Sequence, residues 1–248
     1  MKTIFSSFRL PVLAVLTVFA FSACNKLDDD DIPDAPVSGL MAFNLAPDVS
    51  QAAIALSGSS ITPSPLAFNS YTGGYLAVYS GDRSIESYNY GLSSSLATSS
   101  HTFAENQYYS VFVVGANSNY RHVVVADNLD ELSGSGQAFV RYINAIPDSS
   151  RPSVTITAGG SNIVNDNAAF ASVSGFVAAN AGDATVSVTN GGTINANRTI
   201  TLEQGKIYTV LLTGIPGTGD GVQIRYIQNG TVDQDAGRSA SSSGRSSN

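Results

Sequence analysis

The sequence predicts an all-β protein: two tandem immunoglobulin-like β-sandwich domains carried behind an export segment. Three observations predict it. Composition is 43% hydrophobic and only 12% charged, with 23 Gly, the balance of a turn-rich β protein rather than of a helical bundle. The stretch Phe139-Val140-Arg141-Tyr142-Ile143-Asn144-Ala145-Ile146-Pro147-Asp148 has an earlier copy, Leu40-Met41-Ala42-Phe43-Asn44-Leu45-Ala46-Pro47-Asp48, in which Asn44, Pro47 and Asp48 match Asn144, Pro147 and Asp148. Each copy is followed by short alternating or β-branched runs separated by Gly, Asn, Asp or Pro, and such spacing marks strands in a sandwich.

Residues 1–23 form the export segment. A basic start (Lys2, Arg9) precedes an apolar run from Leu10 to Phe21 and the small residues Ser22 and Ala23. The run is about half the ~20 residues a transmembrane helix needs, so it is a signal peptide. Phe21-Ser22-Ala23-Cys24 resembles a bacterial lipobox, in which the cysteine is acylated, palmitate included, and becomes the first mature residue; Phe21 stands where Leu is usual. The alternative is an ordinary signal peptide before a free thiol. Cys24 is the only cysteine, so an intramolecular disulfide and a cysteine metal cluster are both excluded.

Residues 24–38 read as a lipidated acidic tether. The adjacent carboxylates Asp28, Asp29, Asp30 and Asp31 repel one another and stay solvated, and they lack the alternating spacing and the glycine of a calcium loop. With Lys26 they resemble the acidic signal that sends lipoproteins to the outer face of the outer membrane in Bacteroidetes-type bacteria. The localisation implied is outer membrane, lipid-anchored, facing outward. Formal net charge is -7; without Lys2 and Arg9 the mature chain holds 10 basic and 19 acidic residues, or -9. That balance excludes nucleic acid as a partner, and charge-driven binding to anionic membranes as well.

Repeat one spans residues 39–127 and repeat two residues 137–230. Residues 128–136, ending Ser133-Gly134-Ser135-Gly136, read as a flexible linker that favours loosely coupled domains. Residues 231–248 read as a Ser-rich disordered tail. Beyond the opening signature, three blocks agree in order. Ala67-Phe68 and Gly74-Tyr75 match Ala169-Phe170 and Gly175-Phe176. Ala77 to Asp82 matches Ala178 to Asp183, and Tyr108 to Gly115 matches Ile207 to Gly214. In repeat two the expected strands are 138–144, 154–157, 176–179, 184–189, 198–202, 207–214 and 222–227.

The pattern Arg-aromatic-x-Asn-x-x-Pro-Asp, then Ala-Gly-Asp, then Gly-Lys-x-Tyr-Thr-Val, resembles the bacterial domain of unknown function 4397. Repeat two fits through Arg141 to Asp148, Ala181-Gly182-Asp183 and Gly205 to Val210. Repeat one departs from it, with Ala42 in place of the Arg and Asn106-Gln107 in place of Gly-Lys. The resemblance implies a secreted or surface-anchored sandwich domain, often in tandem, without an established activity.

Residues able to carry chemistry are few. Asn44, Pro47, Asp48, Asn144, Pro147 and Asp148 read as structural turn residues, since Pro sets φ and Asn or Asp cap neighbouring N–H groups. Gly81-Asp82 and Gly182-Asp183 read as hairpin turns. The sequence holds neither a Gly-x-Ser-x-Gly elbow nor a His-Glu-x-x-His pair, and His101 and His122 read as surface strand residues. Gly217 to Gly221 joins two strands and opens no helix, so it is no phosphate cradle. No catalytic set, metal site or cofactor is expected; Asp233-Gln234-Asp235 is a truncated calcium pattern in the tail.

Tyrosine is distributed unevenly: eight of 11 fall in repeat one. Tyr75 and Tyr109 match Phe176 and Tyr208 and are expected in the core. Ile85 and Ser87 align with Val186 and Val188 and face inward, so alternation turns Glu86, Tyr88 and Tyr90 outward. Exposed aromatics beside a carboxylate are candidate contacts for a glycan or a surface protein. The expected function is therefore non-enzymatic binding at the cell surface. The alternative is a structural, assembly or spacer role in a surface complex, through an exposed sheet edge.

Overall fold

A computed structural model describes residues 35–92, 94–133 and 136–232. Cys24, Lys26, Asp28 to Asp31 and the tail beyond 232 lie outside the described residues, so the expectations placed on them stay with the sequence. One unit, from Ala35 onward, contains both repeats. Among the described residues all but one of the regular elements are strands; the exception is a 3-10 turn at Leu129–Glu131.

Repeat one comprises β1 (Val37–Asn44), β2 (Gln51–Leu56), β3 (Ser59–Ser60), β4 (Leu66–Ala67), β5 (Ser70–Tyr71), β6 (Leu76–Tyr79), β7 (Gly81–Asn89), β8 (Ser94–Phe103), β9 (Tyr108–Ala116) and β10 (Asn119–Ala126). Repeat two comprises β11 (Gln137–Asn144), β12 (Ser153–Ala158), β13 (Ser161–Asn167), β14 (Val177–Asn180), β15 (Gly182–Thr189), β16 (Asn195–Leu202), β17 (Lys206–Gly214) and β18 (Val222–Thr231). The seven expected strands of repeat two are all present. The eighth, β13, is an edge strand of sequence SNIVNDN whose exposed polar residues hide it from an apolar-pattern search.

The two repeats share one topology. In repeat two one sheet runs β14-β11-β17-β18 and the other β13-β12-β15-β16; in repeat one β10-β9-β1 is flanked by β5 and β6, and β8-β7-β2 by β3 and β4. A parallel pair lies at the centre, β1 with β9 and β11 with β17. The expected two-sandwich architecture holds, with its own strand order and eight strand positions rather than seven. Each sandwich has its own core, around Leu40, Ile54, Ile85 and Phe103 in repeat one and around Val140, Ile156, Val186 and Leu212 in repeat two.

Matched local devices explain the matched blocks. Tyr109 and Tyr208 are buried, and their hydroxyls accept the N–H of Ala104 at 3.0 Å and of Glu203 at 3.1 Å, five residues upstream. Gly115 and Gly214 end the central strands at φ +123° and +95°, where a Cβ would lie 2.0 Å from the Asn119 carbonyl oxygen and 2.1 Å from that of Gly221. Only glycine fits both the dihedral and the approach.

The Gly-Asp pairs are not hairpin turns. β6 and β7 belong to opposite sheets, as do β14 and β15, with only Ser80 or Ala181 between them. Gly81 and Gly182, at φ +92° and +121°, make these sheet-to-sheet corners. The following Asp then accepts a threonine hydroxyl from the next strand, Thr102 to Asp82 and Thr201 to Asp183.

The repeats are not loosely coupled. A third apolar cluster joins Met41, Phe43, Leu45, Phe112 and Val114 of repeat one to Ile143, Ala145 and Leu211 of repeat two. The outward faces of β1–β9 and β11–β17 cover each other, which is why these strands are apolar on both faces. The linker takes part, Leu129 and Leu132 packing against the cluster of Phe139 and Ile207.

Candidate functional site

Three places bear on contacts or chemistry, and the first lies on the outer face of a sheet. It is the outer face of β7, the central strand of the sheet formed with β2 and β8. Ile85 and Ser87 are fully buried. Glu86 and Tyr88 are half-exposed on the opposite face, opposite Ala55 and Ala53 of β2. These small neighbours leave the ring and carboxylate raised above the sheet. The Glu86 carboxylate accepts Ser84 Oγ at 2.8 Å and the Tyr88 hydroxyl at 3.1 Å. That hydrogen bond to a carboxylate raises the pKa of Tyr88. Tyr90 and Leu92 project from the hairpin between β7 and β8, 57% and 72% exposed. The result is a polar-edged aromatic surface on a rigid strand, suited to stacking and hydrogen bonding.

The second place is the inter-repeat interface, where a buried polar cluster went unseen in the sequence. Arg141 Nη1 pairs with Asp127 Oδ1 at 2.7 Å, with both side chains almost wholly buried. Arg141 Nε donates to Thr209 Oγ1 at 3.0 Å and Nη2 to Ser110 Oγ at 2.9 Å. Asp127 Oδ2 accepts the Tyr75 hydroxyl at 2.5 Å and Ser110 Oγ at 2.8 Å. Phe176 lies against the guanidinium, its ring centre 4.4 Å from Cζ. Burial and the neighbouring Asp127 raise the Tyr75 pKa, so the phenol stays protonated and donates. Such a buried pair fixes how two domains meet, and a cavity of about 350 Å³ lined by Asp127, Glu131, Arg141 and Phe176 adjoins it.

Met41, and not Ala42, stands in the place of Arg141. Met41 pairs with Ser110 across β9 as Arg141 pairs with Thr209 across β17, and Asn229 Nδ2 approaches Met41 Sδ at 4.0 Å. Contacts across the interface thus come in approximate pairs: Arg141–Asp127 opposite Met41–Asn229, and Arg121–Phe170 opposite Gln223–Asn69. Asp127 closes repeat one in the sequence, just past β10, and a lone Asp before a linker carries no signal of a partner in the next repeat.

The third place is His122, which is not a surface residue. Its Nδ1 lies 2.8 Å from Ser99 Oγ and its Nε2 2.9 Å from Ser87 Oγ. Burial lowers its pKa to about 4. A general base works best with a pKa near the operating pH, so His122 is a weak one, and of its two serine partners Ser87 is fully buried and Ser99 half-buried. Because the folded value lies below the unfolded 6.5, the folded protein binds fewer protons between pH 6.5 and 4, and stability is lost as pH falls through that window. The loss is at most about 3 kcal/mol, less for the ring's partial solvent contact. His122→Ile with Ser87→Val, the residue types at the matching positions 224 and 188, is expected to flatten denaturation midpoints measured between pH 6.5 and 4. His101 is half-buried between Phe103 and Tyr109, edge-on to both rings, and burial lowers its pKa.

The turn residues sit where the strands leave the sheets. Asn44 is fully buried; its Nδ2 donates to the carbonyls of Val49 at 2.9 Å and Leu66 at 3.0 Å, and its Oδ1 accepts the Ala46 N–H at 3.2 Å. Asn144 does the same for Ala168 at 3.0 Å and Ile146 at 3.1 Å. Pro47 and Asp48 occupy the centre of a turn closed by Val49 N–H to the Ala46 carbonyl at 3.1 Å, whereas Pro147 centres a tighter turn, Asp148 N–H to the Ile146 carbonyl at 2.7 Å. Asp48 reaches the β9–β10 hairpin, accepting Asn117 N–H at 2.7 Å and the Tyr120 hydroxyl at 2.9 Å. Asp148 caps Ser150 at 2.7 Å. Among the described residues no group of three or more His, Asp or Glu is arranged to hold a metal ion.

A family model described as a domain of unknown function, DUF4397, matches residues 38–151 and again 138–240. No curated protein matches the chain. Among solved structures, a family 41 carbohydrate-binding module from a streptococcal virulence factor, described for alpha-glucan recognition, is 11% identical with a TM-score of 0.21 over 75% of this chain and 96% of its own. A "putative cell adhesion protein" from Bacteroides eggerthii is 9% identical with a TM-score of 0.22 over 79% and 96%. Similarity at that level carries no functional argument.

Proposed function

Since the chain belongs to the DUF4397 family and holds two copies of its domain packed into one unit, we propose that it is a lipid-anchored, non-enzymatic binding protein of the bacterial cell surface, with repeat one as its recognition module. The observation that carries this reading is one-sided exposure. Among the described residues, the large apolar side chains most open to solvent are Val37, Tyr79, Tyr90, Leu92 and Tyr108, and all five lie in the first sandwich. Exposed aromatics of this kind are what interfaces recruit. Cys24 and the acidic run Asp28 to Asp31 supply the anchor and the outward signal, and a glycan or a surface protein is the ligand.

Two measurements test this. Protease added to intact cells is expected to remove the folded region without breaking the outer membrane; protection until the membrane is opened would place it inside. Tyr88→Ala with Tyr90→Ala is expected to weaken capture of surface glycans or proteins at least tenfold, a loss of about 1.4 kcal/mol, with Tm unchanged. Unchanged capture, with a partner still co-purifying, would move the structural and assembly role ahead.

A further inference from the structure

We propose that the open edge of the first sandwich is a binding site for an acidic saccharide, held between Tyr79 and Arg83. The site rests on the reading of repeat one as the recognition module, but it lies away from the Tyr88–Tyr90 surface and uses different residues.

The two edge strands β3 and β6 belong to opposite sheets and leave between them a cavity of about 300 Å³. That volume is at the small end of ligand pockets, ~300–1,000 Å³, and fits a sugar unit rather than a folded partner. Its floor is apolar, made by Leu56, Ile61 and Val78. Tyr79 forms one wall and is 63% exposed. Ser57, Ser59 and Ser60 line it as well, the Ser60 hydroxyl donating to the Thr62 carbonyl at 3.0 Å.

Arg83 gives the site its charge preference. Its Nε donates to the Tyr79 carbonyl at 3.1 Å and its Nη2 to the Ser80 carbonyl at 2.9 Å. Its Cζ lies 5.9 Å from the centre of the Tyr79 ring. Two of the five guanidinium N–H groups are thereby spent on neutral backbone, which fixes the cation and leaves three donors. Among the described residues no carboxylate lies within ion-pair distance of it. The adjacent Asp82 is instead engaged by Thr102 on β8. A fixed, uncompensated guanidinium is a preorganised fork for a carboxylate or sulfate. The aromatic wall beside it suits the apolar face of a sugar ring. Repeat one contains one other Lys or Arg, Arg121, and that residue is committed to Phe170 across the interface. In a protein of net charge -7, an anionic ligand needs such a local cation to be held at all.

Repeat two supplies an internal control. Tyr79 and Arg83 correspond to Asn180 and Ala184. The edge strand is seven residues in β13 against two in β3. The Asn180 amide closes onto the turn before β13, so that a Cβ on Gly159 would meet its Nδ2 at 2.9 Å. The copy without the cation and the aromatic wall is also the copy with the longer edge strand and the Asn180 approach.

The test is calorimetric titration of the full mature protein with tetragalacturonate, a sulfated oligosaccharide of equal length and a neutral oligosaccharide of equal length. Saturable binding of at least one acidic probe is expected, at least tenfold tighter than the neutral one. Arg83→Gln and Tyr79→Ala are each expected to weaken it tenfold or more, with unchanged Tm. Preference for the uronate would assign a planar carboxylate to the Arg83 fork, and preference for the sulfated probe a sulfate; both support the site. Tyr88→Ala with Tyr90→Ala should leave this binding intact, which separates the failure of one surface from that of the other. No saturable binding of either acidic probe, equal binding of the neutral one, or full affinity after Arg83→Gln would overturn the proposal. So would a polyglutamate peptide binding more tightly than the saccharides.

Discussion

Arg141→Met is expected to destabilise the protein by about 3–5 kcal/mol, because it strands Asp127 as an unpaired buried carboxylate. For a unit of this size that is a fall in Tm of roughly 10 °C. The informative result is the second step. Adding Asp127→Asn should recover most of the loss, because Met facing Asn is the arrangement the protein already uses at Met41 and Asn229 on the other side of the interface. Replacing a whole buried ion pair by a neutral, well-packed one is often near neutral, whereas removing one partner is not. A double-mutant cycle by chemical denaturation reads the coupling directly. A loss below about 1 kcal/mol in Arg141→Met alone would show that water reaches Asp127 and that the pair does not lock the sandwiches.

Asn44→Ala is expected to cost about 3 kcal/mol or more. The carbonyls of Val49 and Leu66 and the N–H of Ala46 all rely on that one side chain, and each buried group left without a partner costs about 1–3 kcal/mol. Asn144→Ala removes two such bonds rather than three and should cost less. Asn44→Asp distinguishes bonding from packing: it keeps the shape but turns a carboxylate oxygen toward two carbonyls, so it should be at least as damaging as Ala. Midpoints in urea measure all three. Tolerance of Asn44→Asp would mean the amide is not the tie between β1, its exit turn and β4.

Much of the fold was legible because it depends on local periodicity. The inward placement of Ile85 and Ser87 follows from alternation along one strand, and the duplication follows from matched blocks. What escaped has a common cause. His122 looks like a surface histidine because nothing near it in sequence reveals Ser87 and Ser99, 35 and 23 residues away. β13 looks like a loop because an edge strand needs apolar residues on one narrow stripe only. The Gly-Asp corners look like hairpins because a change of sheet leaves the same glycine as a tight turn.

The sequence by itself determined the all-β class, the two copies, and which face of β7 carries Glu86 and Tyr88. Each follows from neighbours a few positions apart or from self-comparison. Only the tertiary structure decided that the two sandwiches share a face, that Met41 and Arg141 occupy equivalent places there, and that Asp127 neutralises the cation. The continuous apolar runs of β1, β9, β11 and β17 announce strands covered on both faces, but burial is non-directional and does not name what covers them. The partner is chosen by contacts between residues far apart in the chain. Those contacts exist only once both sheets have formed.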